Sequence, residues 1–220
     1  MTALRGQQEV GDGIGQFNAL SFLIQQRLGR LNTCTLVRVV AVASSGDVAP
    51  AGFVDVQPLV NQVDGNKNAT PHGVIHDIPY FRLQGGANAV IIDPEVGDIG
   101  LACFADRDIA SVVANKAPAN PGSGRRFAMR DALYVGAFLG EAPTQFLRFS
   151  SSGISLVSAA AMTITAPGGI NINGVQINAA GAISAPEPVT APDAVLNGIS
   201  FVGHRHGGVA TGGGQTGTPI

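Results

Sequence analysis

Two histidines separated by one residue, His204-Arg205-His206, close an alternating run, DAVLNGISFVGHRH, over residues 193–206. Side chains along a strand repeat every second residue, so both imidazoles share one face and Arg205 takes the other. Alone, a His-x-His pair fits two exposed histidines better than a metal site. Set in register in three chains round an axis, the same pair supplies six imidazole nitrogens in two layers of three. That is an octahedral donor set, suited to Fe(II), Co(II) or Ni(II) rather than to tetrahedral Zn(II). With every position filled by protein, the ion would cross-link three chain ends and leave no site for a reactive water. Protonation of the imidazoles would compete with the metal below about pH 6.

Other reactive side chains read as structural. His72 and His76, in PHGVIHD, are four apart and would converge on a metal only from a helix, whereas their stretch reads as loop and strand. Asp93, Glu95, Asp98, Asp106 and Asp108 cluster around PEVGD and FADRD. They sit at turns beside Pro and Gly without a nucleophile or an oriented histidine, so turn and capping roles are expected. Cys34 and Cys103 lie in separate strand-like runs, with no Cys-x-x-Cys spacing, and read as buried free thiols. A disulfide between them would be unusual in a cytoplasmic product. No G-x-S-x-G, Walker or Rossmann fingerprint is present, and the glycines of TGGGQTG follow no strand and open no helix. No catalytic residue, small-molecule substrate or organic cofactor is therefore expected.

The segment that must carry the histidines has an unusual composition. From Ser150 to His204 it has no Lys or Arg and only two acids, Glu187 and Asp193. Apolar residues recur at Phe146, Ile154, Met162, Ile170 and Ile177, an eight-residue repeat with one interval of seven. Strict alternation at Met162 and Ile164, and at Ile170 and Ile172, gives each strand a single apolar face. One chain cannot close a core from so few small side chains. Three chains wound round a common axis can, since each contributes one face and the strand edges pair between chains. An intertwined trimeric β-helix is thus expected over 146–200, with a metal-bound apex over 201–220. The prolines of APEPVTAP (185–192) interrupt its pairing.

Upstream, Phe17, Leu20, Leu23, Ile24, Leu28 and Leu31 predict one amphipathic helix over 17–31. It would either pack on its own domain or attach the 1–33 segment elsewhere. Strand-like runs follow at 34–42, 52–60, 73–81, 88–94 and 97–105, separated by Gly or Pro turns. Five short strands suggest a small barrel of the OB kind over 34–145, so the fold class is all-β. The 11 Lys and Arg of residues 1–145 face 13 Asp and Glu, and the chain has two Tyr and no Trp, which argues against nucleic acid. No secretory h-region and no apolar run of membrane-spanning length appear, so assembly in a cytoplasm is expected.

Four stretches carry a family resemblance: VDVQPLV (54–60), VGDIGLACFADRDI (96–109), RRFAMRDALYV (125–135) and NGISFVGHRHGGVATGGGQTGTP (197–219). They resemble the central spike proteins of contractile phage baseplates, in which an OB-like domain leads into a triple β-helix. The resemblance implies a homotrimer docked on the tail hub and tube, with His204 and His206 holding an iron ion, one per trimer. It further implies a virion component driven through a bacterial outer membrane by sheath contraction. Within it, a phage tail and a bacterial contractile toxin or secretion system are both open. A tail-associated cell-wall-degrading enzyme is the alternative of a different class.

Overall fold

The computed structural model describes residues 11, 13–43, 48–64, 66, 68–203, 208 and 212. The fold is all-β with two short helices, α1 (Gln16–Leu28) and α2 (Ala110–Asn115). The chain divides into two compact units, Met1–Pro143 and Thr144–Ile220.

In the first unit, β1 (Cys34–Ala43) and β2 (Phe53–Pro58) precede two short hairpins and three further strands. One hairpin joins β3 (Gln62–Val63) to β4 (Ala69–Thr70); the other, beyond β5 (Ile75–Pro79), joins β6 (Leu83–Gly85) to β7 (Asn88–Val90). β8 (Ile99–Phe104) and β9 (Ala132–Ala137) complete a five-stranded antiparallel sheet in the order β5-β2-β1-β8-β9. Register breaks at Val39/Ala41 and Leu101/Ala102 increase local twist and curl the sheet. Its two edges meet: Tyr80, just past β5, bridges Tyr134 of β9 in parallel, and the Phe81 amide donates to the Tyr134 carbonyl at 2.7 Å.

Alternation decides what the curl encloses. Val37 and Val39 of β1, Val54 and Val56 of β2 and Ala102 of β8 point inward and are fully or almost fully buried, with Ile78, Tyr80 and Tyr134 beside them. Each such valine or isoleucine side chain contributes about 1.5–3 kcal/mol on burial. The same alternation turns Cys34 and Cys103 outward. Both are free, but Cys34 is exposed and Cys103 half-buried, which corrects the expectation of buried thiols. The helix expected over 17–31 ends earlier, at Leu28, where Gly29 follows. None of its residues is buried, and Phe17 and Leu20 are open to solvent.

The second unit consists of hairpins. β10 (Phe146–Ser150) pairs with β11 (Gly153–Val157), and β12 (Ile170–Ile172), β13 (Val175–Ile177) and β14 (Ile183–Ser184) form a three-stranded sheet. β15 (Val195–Leu196) and β16 (Ile199–Ser200) make the last pair. The two-residue loops Asn173-Gly174 and Asn197-Gly198 have φ of 50° and 92°, and of 50° and 80°. Both residues of each loop are left-handed, the conformation that Asn-Gly tolerates and that matches strand twist. Met162 and Ile164 lie outside the strands of the single chain. Among the described residues of this unit none is buried.

Candidate functional site

The hairpin leading to the histidines is organised by one carboxylate. Asp193 Oδ1 accepts the amides of Ala194 (2.8 Å) and Val202 (3.0 Å), and Oδ2 accepts the Ser200 hydroxyl at 2.6 Å. Ser200 Oγ in turn accepts the Gly203 amide at 2.8 Å. These bonds, the Ser200 hydroxyl first, hold the Asp193 carboxyl below its ordinary range. The chain is thereby fixed as far as Gly203, next to His204. Strand β16 nevertheless stops at Ser200, and residues 201–203 form a turn, so the expected strand does not run into the histidines in the single chain. His204 and His206 themselves lie outside the described residues. Sequence reasoning gave Asp193 no role, although it is one of two acids in a long uncharged stretch and stands just ahead of β15.

The other sequence candidates sit in the first unit and stay apart. His72 Nδ1 lies 3.2 Å from Gln62 Nε2, and His76 Nδ1 lies 2.7 Å from Asp55 Oδ2 on an exposed edge. The Asp55 carboxyl is held low, first by the Asp77 amide and then by His76. Asp98 accepts the Glu95 amide at 2.9 Å, closing the turn between them, and Asp106 makes only a loose exposed pair with Arg107 at 3.8 Å. Asp93 does more than cap a turn: it pairs with buried Arg82 and accepts the Tyr80 hydroxyl at 3.0 Å. Asp108 accepts the Ala110 amide at the start of α2 and also faces Arg125, which grips Asp131 through two hydrogen bonds.

A cleft of about 690 Å³ opens beside this cluster, lined by Phe53, His76, Ile109, Arg125 and Asp131 among others. Among its described lining residues no Ser, Thr, Cys or Lys is present to act as a nucleophile, and both oxygens of Asp131 are taken by Arg125. Among the described residues no group of three or more His, Cys, Asp or Glu side chains converges as for a metal.

Residues 198–219 match the family described as the GpV Apex motif, starting at the second loop residue of the β15–β16 hairpin and enclosing His204 and His206. The match supports a phage central spike protein of the gpV kind. It covers 22 of the 220 residues, all at the C-terminal end. The motif is that of a metal-binding apex, and its context is the phage tail baseplate and its structural proteins. Among curated proteins nothing matches the chain.

Proposed function

We propose that this chain is the membrane-piercing central spike of a contractile phage tail, acting mechanically as a homotrimer and not as an enzyme. The observation that carries this reading is the Apex match at 198–219, attached to a unit in which no described residue is buried. Residues 1–33 form an attachment segment for the hub, 34–145 an OB domain, 146–200 the shaft and 201–220 the apex. The OB assignment is supported by the ring of neighbours β5-β2-β1-β8-β9, joined back to β5 through Tyr80 and Tyr134. The shaft is three copies wound together, each covering the apolar faces the others leave open.

His204 and His206 of three chains supply six imidazole donors, a set that fits an octahedral ion such as iron. The ion cross-links the three chains, and the Asp193 hairpin anchors each of them just ahead of its histidines. With no Lys or Arg between Ser150 and His204, the shaft carries little charge to desolvate on passing through lipid. The spike is assembled in the host cytoplasm and carried at the tip of the virion's baseplate.

Native mass spectrometry and elemental analysis of the full chain test the reading. The expected result is a trimer with about one iron per three chains, the iron being lost in a His204→Ala, His206→Ala variant. A metal-free monomer would overturn it.

A further inference from the structure

We propose that Cys34 and Cys103 are a redox-responsive staple, a disulfide between β1 and β8 that closes on contact with a small-molecule disulfide and reopens under a thiol reductant. The inference goes beyond the spike reading and does not depend on it. Cys34 and Cys103 are direct partners in the register of the two strands. The neighbouring pair, Thr33 and Phe104, is hydrogen-bonded through the Phe104 amide at 2.8 Å, and the bonding alternates along an antiparallel ladder. The cysteine pair is therefore a non-hydrogen-bonded one, where opposed Cα atoms stand about 4.5 Å apart. That separation falls inside the range a disulfide spans, about 4.4–6.8 Å. The two Sγ atoms are already in contact at 3.0 Å. No backbone movement is required to bridge them, and the chain holds no third cysteine to compete.

Access gives the order of events. Cys34 is exposed and Cys103 half-buried, so Cys34 meets the oxidant first. Its thiolate attacks one sulfur of the small disulfide, whose S–S bond breaks and releases one thiolate. Cys103, losing its proton, then attacks the Cys34 sulfur of the mixed disulfide and expels the second thiolate. Two protein thiols are oxidised, one small disulfide is reduced to two thiols, and the two protons end on those thiols. In the reduced pair the Cys103 thiol is pushed up to about 11, first by its hydrogen bond with Cys34 and then by burial, so Cys103 keeps its proton at neutral pH and does not open the sequence. In a reducing compartment the pair stays open; in an oxidising one it closes.

The closed loop contains β2 and β5, and the staple locks the register of two neighbouring strands in the middle of the curled sheet. Full-length protein, treated with oxidised glutathione and then alkylated, is the sample for the test. The expected result is an intact mass lower by two hydrogens, with residues 31–38 joined to residues 83–107 in a non-reduced tryptic map. Dithiothreitol should restore both thiols, and closure should raise Tm by on the order of 10 °C. A Cys103→Ser variant should instead stop at the glutathione adduct on Cys34. Persistent adducts on the wild type, chains cross-linked through these cysteines, or two thiols that stay free would each overturn the proposal. Oligomeric state and iron content are measured separately, so failure here leaves the spike reading standing, and the reverse.

Discussion

Asp108 shows how a local signal and a distant one combine in a single side chain. Its place in FADRD marks it as a turn or capping residue, and the Ala110 amide does donate to it, at 3.0 Å. The Ser123 hydroxyl at 2.7 Å and the Arg125 guanidinium at 2.9 Å come from a loop that only the folded chain brings near. Asp93 follows the same pattern, since its partner Arg82 belongs to a separate stretch. Capping is written in neighbouring residues and was legible; ion pairing across loops is set by tertiary approach and was not. The Asp108 carboxyl is held below its ordinary 3.8, most strongly by Ser123, then by the Ala110 amide. A carboxyl depressed in the folded state adds stability that is complete above the unfolded value and is lost as pH falls through the folded one. Thermal melts should therefore be flat above about pH 5 and decline below about pH 4. Asp108→Asn should lower Tm at neutral pH and flatten that acid limb; a variant with the wild-type pH profile would exclude Asp108 from it.

At the scale of elements, β-branched runs and turn residues placed β1, β2, β5 and β8 to within a few positions, because a half-buried strand writes its period directly into the sequence. The run at 88–94 supplies only the hairpin strand β7, and β9 was not read as a strand. The face of each strand was harder to read. In CTLVRVVAV both sets of alternate positions carry apolar residues, Leu36 and Val40 on one side, Val37 and Val39 on the other. Only the fold shows that Val37 and Val39 face in, and so that Cys34 faces out. Close approach between strands was likewise invisible in sequence. A Cβ on Gly100 would collide with the Gly136 carbonyl and the Tyr134 hydroxyl, where β8 crosses the bulged part of β9. Gly100→Ala should thus destabilise the first unit by about 3 kcal/mol, because backbone must shift to admit the methyl. Gly124→Ala, which meets nothing within 4 Å, should stay within about 0.5 kcal/mol of wild type. Chemical denaturation of both variants decides whether the approach is as tight as this.

For the molecule as a whole, the informative contrast is between a first unit with a closed apolar core and a second with none. Ile154 is 69% exposed and Ile172 60% exposed in the single chain, and neither packs against a buried neighbour. The eight-residue repeat made this legible beforehand, since each short strand has too little apolar area to close a core. How strands of different chains would pair is not written in one chain's pattern; in the single chain, Asn-Gly turns fold β12 onto β13 and β15 onto β16. The two arrangements respond oppositely to charge. If the second unit worked as a monomer, Ile154→Asp and Ile172→Asp would place a carboxylate in water at almost no cost, and solubility would improve. In a threefold shaft each substitution places three carboxylates together against apolar faces, at a cost of several kcal/mol per trimer. Sedimentation at micromolar concentration should then show trimers for wild type and for Ser152→Asp, which alters an exposed loop, and monomers or aggregates for the two isoleucine variants. Trimers that survived both isoleucine changes would mean that the chains associate through some other surface, the exposed apolar side of α1 being the first to test by deleting residues 1–33.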